Sequence, residues 1–110
     1  MRQETKDAII NFRDERDWKQ FHNPKDLAIS LSLEAAELLE NFQWRASEEA
    51  LDKNRGNIED ELADIIIYTV LFADVIGADI DEIVGEKIKQ NAEKYPVEKA
   101  KGRMEKYDKL

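Results

Sequence analysis

The chain has 110 residues, a formal net charge of −8 and a sequence pI near 4.7, and we expect one domain over residues 1–110. It contains no cysteine and one histidine, His22, which excludes disulfides, thiolate metal sites and a multi-histidine zinc site within one protomer. The acidic balance argues against binding to a nucleic-acid polymer, which needs a basic surface.

The first predicted helix runs from about Thr5 to Phe21, where apolar residues alternate with charged ones at helical spacing. The polar segment before it lacks the apolar core of a signal peptide. Asn23 and Pro24 then interrupt the chain, because asparagine is a good helix N-cap and proline suits the first helical position. A second helix is predicted from Pro24 to about Trp44, apolar around most of its circumference.

Residues 45–56 are polar, with a short helical turn predicted at Ser47 and a loop or helix boundary at Gly56. A third helix follows from about Ile58 to Ile76. Its apolar run, Ile65 to Ala73, is too short to cross a bilayer, so we expect a cytoplasmic protein that does not bind membranes. This helix is apolar on nearly all sides, which favours a second subunit covering one of them.

Gly77 is well placed to end the third helix, and Asp79 with Glu82 resembles a capping box for a fourth helix, Asp79 to Lys94. The charged tail, residues 97–110, is expected to be a short helix or a frayed end. No useful strand alternation occurs anywhere in the sequence. The predicted fold class is therefore all-α.

Two pairs of acids stand on the apolar stripes of separate helices: Glu34 with Glu37, and Glu61 with Asp64. A spacing of three places each pair on one helix face. Four carboxylates near an apolar interior need protonation or a divalent cation to offset repulsion and desolvation. Oxygen ligands alone suit Mg²⁺ or Mn²⁺. The alternative interpretation is that these are solvated surface acids.

Several other residues are candidate ligand contacts. Trp18 and Trp44 lie near predicted helix ends, where they would either flank a flat base or pack in a core or interface. His22 would either donate to a base or phosphate, or stabilise a turn. One face of the fourth helix carries cationic and amide groups that would meet phosphate or complement the helix C-terminus: Lys87, Asn91 and Lys94.

Together these residues resemble the MazG-like superfamily of all-α nucleoside triphosphate pyrophosphohydrolases. Its hallmark is E-x-x-E followed by E-x-x-D on the next helix, matched here by the two acidic pairs with 23 residues between them. The sequence resembles the dCTP pyrophosphatase branch most. That resemblance covers about Ala8 to Val97 and rests on residues 12–22 (FRDERDWKQFH), 41–44 (NFQW), 64–68 (DIIIY) and the spaced group Lys87, Asn91, Lys94-Tyr95-Pro96.

The resemblance implies a four-helix bundle-like fold that oligomerises through its helices as a dimer or a tetramer (a dimer of dimers). It implies house-cleaning hydrolysis of dNTP to dNMP and diphosphate with Mg²⁺, or Mn²⁺ as a substitute, and a preference for dCTP. Carried over by position, it assigns catalysis and metal binding to Glu34, Glu37, Glu61 and Asp64. It implies that Trp18 and Trp44 hold the base with His22 nearby, and that Tyr68 lies against the deoxyribose. It implies triphosphate contacts for Lys87, Asn91 and Lys94.

Two alternatives remain open at this point. Ile9 stands where the animal members of this branch carry histidine, so the base preference here would differ, giving a broad, dATP-directed or modified-dNTP pyrophosphohydrolase. The other alternative is a catalytically silent helical dimerisation module, in which the acids are structural and the tryptophans are packing residues.

Overall fold

A computed structural model describes all residues, Met1–Leu110, and contains helices without any strand, which confirms the all-α prediction. The chain forms two compact units, Met1–Gly77 and Ala78–Leu110. Five α-helices and two 3₁₀ turns follow in order: α1 (Gln3–Glu15), a 3₁₀ turn (Lys19–Phe21), α2 (Pro24–Glu40), α3 (Ser47–Ile76), α4 (Ile80–Lys94), α5 (Val97–Ala100) and a 3₁₀ turn (Tyr107–Lys109).

The first helix ends at Glu15, so the prediction that it continues to Phe21 is wrong. Asp17 adopts a left-handed conformation with φ of 54°. The backbone N–H groups of Asp17 and Trp18 donate to carbonyls of the last turn at 3.0 and 3.2 Å, the pattern of a Schellman motif. The ring of Trp18 meets Phe12 edge-on at 5.7 Å, which supplies the apolar contact that accompanies this motif. The turn thereby aims Trp18 back along α1.

The N-terminus of α2 follows the prediction. Oδ1 of Asn23 accepts a hydrogen bond from the backbone N–H of Asp26 at 2.9 Å, and Pro24 opens the helix. The C-terminus of α2 differs from the prediction, because the helix ends at Glu40 rather than near Trp44. Trp44 has a φ of 63°, which an α-helix does not accommodate, and it lies in the turn that leads to α3.

α3 begins at Ser47, where a short helical turn is predicted, rather than at Ile58, and no loop separates that turn from the rest of the helix. The helix boundary predicted near Gly56 corresponds to a kink at Asn54, which has φ −116° and ψ 19°. The Asn54 amide Nδ2 donates to the backbone oxygen of the buried Asn41 at 3.0 Å, and Asn57 Nδ2 donates to its side-chain oxygen at 2.8 Å. This network fastens the end of α2 to the kink in α3.

The small core of the first unit forms where α2 packs along α3, with α1 against α3 as well. Its buried apolar residues are Leu27, Ala50, Val70, Leu71 and Ala73. Large apolar side chains remain exposed on both longer helices: Ile29, Leu33 and Leu39 on α2, and Leu62, Ile66 and Ile67 on α3. The perimeter of α3 is thus only partly covered within one chain, and self-association stays a prediction.

A buried arginine ties α1 to α3. Arg13 is 2% exposed, and its Nη1 donates to Oδ2 of Asp74 at 2.6 Å while Nη2 lies 2.9 Å from Oδ1 of Asp14. Burial lowers the pKa of the guanidinium, but the two carboxylates raise it overall, so Arg13 remains charged. Removing Arg13 would leave the carboxylate of Asp74 without its partner, and removing Asp74 would leave the buried guanidinium with Asp14 alone.

Gly77 ends α3 with a φ of 68°, as predicted. Gly77→Ala is expected to lower the free energy of unfolding by about 1–2 kcal/mol, because a Cβ strains the left-handed conformation. Gly56→Ala is the matched control in the interior of the same helix, where an added Cβ meets nothing within 4 Å. It should raise stability by about 0.5–1 kcal/mol. Urea denaturation of both variants at one protein concentration checks this, and shifts of equal sign would contradict it.

In the second unit, Oδ1 of Asp79 accepts from the backbone N–H of Glu82 at 3.0 Å, so the predicted N-cap of α4 is confirmed. The charged tail begins with the short helix α5 and ends in the second 3₁₀ turn. None of the helices has the length and apolar character needed to span a bilayer.

Candidate functional site

Three of the four predicted acids converge between α2 and α3. Glu34, Glu61 and Asp64 are half-buried, and each offers a carboxylate oxygen within 4.8 Å of the other two. Two of the oxygens, Oε2 of Glu34 and Oε2 of Glu61, are buried, and no group other than these two acids themselves offers them a hydrogen bond. Buried polar atoms ordinarily have partners, so this group fits a divalent cation or a shared proton.

The electrostatics of the carboxylate group follow from this crowding. A hydrogen bond with Glu61 and burial, together with Glu37 and Asp64, raise the pKa of Glu34 to about 7. The hydrogen bond from Glu34 lowers the pKa of Glu61, but burial, Glu37 and the charge of Asp64 raise it overall. Without a cation, the Glu34–Glu61 pair therefore retains a proton up to a pH near neutrality.

Glu37, the fourth predicted acid, lies outside this group and is exposed. It is still close enough to affect the pKa values of Glu34 and Glu61. Of the four predicted acids, three therefore converge and the fourth lies beside them.

An apolar cavity of about 700 Å³ adjoins the carboxylate group. Trp18, His22 and Tyr68, three of the predicted nucleoside contacts, line it together with Asp64. Nδ1 of His22 is buried without a hydrogen-bond partner, and burial followed by the charge of Arg13 lowers the pKa of this histidine. The histidine is therefore neutral at pH 7. Most of the wall is aliphatic or aromatic, including Ala8, Ile9, Phe12, Ile66, Ile67 and Leu71.

Four predicted contacts lie elsewhere. Trp44 is 93% exposed on the turn after α2 and does not line the cavity, so within one chain the two tryptophans do not face a common space. The other three belong to the second unit, where they are exposed side chains of α4: Lys87, Asn91 and Lys94. The geometry of the first unit does not test their predicted role in binding phosphate, which stays a prediction.

A polar cleft of about 510 Å³ contains residues that the sequence did not assign to a site. It is bordered by Glu37 and Glu61, and the other lining residues are Glu40, Asn41, Arg45, Asn54 and Asn57. Asn54 and Asn57 flank the helix boundary predicted at Gly56, and both donate hydrogen bonds to the buried Asn41. Glu37 lies four residues before Asn41, and Glu61 lies four residues after Asn57. The asparagine network therefore fixes the two helices beside the carboxylates.

Comparisons with known proteins identify the family of this chain. The model of the MazG-like family matches residues 29–110, which include all three converging carboxylates. The chain belongs to the MazG-like family. A crystal structure of a pyrophosphatase from Archaeoglobus fulgidus superposes on this MazG-like chain with a TM-score of 0.79 and 44% identity, covering 84% of this chain and 90% of that one.

Curated relatives are similar over nearly the whole MazG-like chain. The dCTP pyrophosphatase 1 of Mus musculus is 38% identical and that of Homo sapiens 36% identical, each over 104 residues that cover 90% of this chain. The chain spans only 61% of the length of these two relatives.

Proposed function

We propose that this chain is a nucleoside triphosphate pyrophosphohydrolase that uses Mg²⁺ to convert dNTP and water into dNMP and diphosphate, with a preference for dCTP. One observation carries the proposal. Asp64 belongs both to the carboxylate group and to the wall of the apolar cavity. A base and sugar bound in the cavity would therefore present the α-phosphate to the carboxylates. The names of the relatives support the same reaction.

The metal would be held by Glu34, Glu61 and Asp64, whose hard oxygen donors suit Mg²⁺, with Mn²⁺ as a substitute. When bound, it would neutralise charge on the phosphates and orient them for attack. The protein's own contribution is to present unpartnered oxygens and to give up the proton that Glu34 retains in the metal-free state. Binding of an anionic triphosphate would otherwise be opposed by the acidic site.

We assign the proton transfer to Glu37. Hydrolysis between the α- and β-phosphates requires a water molecule in line with the bond that breaks, and a base that accepts its proton. Glu37 lies beside the three converging acids without belonging to them, so its oxygens remain available for the water. The proton goes to Glu37, the new P–O bond forms at the α-phosphorus, and diphosphate leaves.

The nucleoside would lie in the cavity, with Trp18 along the base, His22 nearby and Tyr68 against the deoxyribose. Trp44 would complete the base site, with its exposed ring stacking from outside the cavity. The triphosphate would be bound from α4 by Lys87, Asn91 and Lys94. Homo-oligomerisation, as a dimer or tetramer, would cover the exposed apolar faces of α2 and α3.

The proposed function is tested by measuring diphosphate release from the eight common dNTPs and NTPs, with Mg²⁺ and with EDTA. Metal-dependent release that is fastest from dCTP is the expected result. Release from none of the eight, together with no rise in melting temperature when Mg²⁺ and dCTP are added, would contradict it. A bound ligand at 100 times its Kd should stabilise the protein by about 2.7 kcal/mol.

A second candidate, hydrolysis of several or modified dNTPs, is favoured by the wall of the cavity near α1. Ile9 lines the cavity and offers no hydrogen bond to a base edge. An apolar wall discriminates between bases of similar shape less strongly than a polar contact does. Comparable kcat/KM values across the dNTP panel would support this candidate over dCTP preference.

Tyr68→Ala is expected to narrow the ratio of kcat/KM for a dNTP to that for the matching NTP. The tyrosine ring would occupy the space that a 2′-hydroxyl needs, and alanine opens it. Tyr68→Phe, which keeps the ring, should preserve the ratio. The ratio is measured with dCTP and CTP, and an unchanged value in Tyr68→Ala would exclude this role for the ring.

A further inference from the structure

The last ten residues fold back within the second unit as a C-terminal strap, defined here as residues 101–110. The reversal follows α5 at Gly102, whose φ of 76° suits a residue without a Cβ. The guanidinium of Arg103 donates to both oxygens of Glu105, at 3.2 and 3.4 Å, and lowers the pKa of that carboxyl. The strap then closes with the 3₁₀ turn that begins at Tyr107.

The strap returns to the end of α4 through one aromatic ring. The ring of Tyr107 meets that of Tyr95 edge to face, with centroids 6.2 Å apart and planes at 85°. The ammonium nitrogen of Lys94 stands 5.1 Å from the centroid of the same Tyr107 ring. Two consecutive residues at the C-terminus of α4 therefore contact the Tyr107 ring: Tyr95 by aromatic packing and Lys94 by a cation–π interaction.

We propose that Tyr107 is a positioning residue, which holds the ammonium of Lys94 ready for a phosphate group of the nucleotide. This inference rests on the proposed function, in which Lys94 contacts the triphosphate. A ring face attracts a cation through its quadrupole and uses none of the oxygen acceptors that a carboxylate partner would supply. The three N–H donors of Lys94 thus stay available for phosphate oxygens.

Holding the lysine beforehand has a physical advantage. A free lysine side chain occupies many rotamers, and binding to phosphate removes that freedom. A side chain already restricted by the Tyr107 ring loses less conformational entropy on binding, so the nucleotide binds more tightly with no added contact. The strap would in this way contribute to KM without touching the reacting atoms.

The test compares Tyr107→Leu with Tyr107→Phe in the full chain, using dCTP with Mg²⁺. Leucine keeps apolar bulk but removes the π face, whereas phenylalanine keeps the ring. Tyr107→Leu is expected to raise KM about two- to fivefold, the size of an exposed cation–π contact, with kcat nearly unchanged. Tyr107→Phe should match the wild type. Lys94→Met should raise KM at least as much, and adding Tyr107→Leu to it should change KM no further.

The double variant separates positioning from a general structural role. If Tyr107 merely stabilised the second unit, its effect would multiply with that of Lys94→Met, and that result would overturn the proposal. A normal KM in Tyr107→Leu, or in Lys94→Met, would overturn it too. In each of these cases the wild type still hydrolyses dCTP, so the proposed reaction survives, although a normal KM in Lys94→Met would remove Lys94 from the proposed triphosphate contacts. A wild type that releases no diphosphate from any nucleotide would instead refute the function and this inference together.

Discussion

Replacing Glu61 by glutamine is expected to abolish Mg²⁺-dependent diphosphate release while making the metal-free protein more stable at pH 8. Glutamine removes one of the three converging charges, so the remaining carboxylates repel each other less. Its amide can donate a hydrogen bond to Glu34 in place of the shared proton. For catalysis the same change removes a metal ligand. A loss of several kcal/mol of transition-state stabilisation corresponds to about a 100-fold or greater fall in kcat/KM.

The opposite signs of the two effects make this experiment informative. Activity is measured as diphosphate release from dCTP, and stability as the thermal midpoint in EDTA at one protein concentration. A fall in both quantities would indicate that Glu61 is structural and that the loss of activity reflects damage to the fold. Full activity in the variant would show that catalysis occurs somewhere other than at the three carboxylates.

Glu59→Gln is the matched control for this experiment. Glu59 lies two residues earlier on the same helix, is exposed, and pairs with Arg55 at 2.8 Å. An exposed helical pair of this kind contributes only about 0.3–0.5 kcal/mol. The control should therefore retain activity and show at most a slight loss of stability, whereas Glu61→Gln should change both quantities strongly.

The parts of the fold that follow from local chemistry could be predicted from the sequence. Asn23 and Asp79 cap helices because their side-chain oxygens reach backbone N–H groups three residues on, and Gly77 ends α3 because it tolerates a positive φ. Convergence of Glu34, Glu61 and Asp64 also follows, because their helix faces carry apolar neighbours that pack together.

The parts of the fold that depend on tertiary contacts could not be predicted from the sequence. Asp17 ends α1 in a conformation usually taken by glycine, and nothing in the sequence alone signals that choice. Asn54 and Asn57 have the composition of a loop, and only their hydrogen bonds to the distant Asn41 explain why they lie at and beside a kink within α3. Arg13 belongs to a charged segment, and its burial depends on Asp74, which is 61 residues away.

The metal-free protein is expected to lose stability as the pH rises from about 4.5 to about 7, and to recover it when Mg²⁺ is added at pH 8. The ordinary pKa of Glu34 is 4.5, and in the folded chain it is raised to about 7. Between these values the folded state binds more protons than the unfolded state, so stability is greatest below the window and is lost through it. Mg²⁺ replaces the missing proton above the window.

Glu34→Gln separates this contribution from the other carboxylates of the chain. The variant has no proton to lose at this position, so the slope of its thermal midpoint between pH 4.5 and 7 should flatten relative to the wild type. In the wild type the apparent Kd for Mg²⁺, measured by calorimetry, should weaken about tenfold per unit as the pH falls below 7, because each ion displaces one proton. A wild-type Kd that is constant from pH 6 to 8 would mean that the metal does not compete for the Glu34–Glu61 proton.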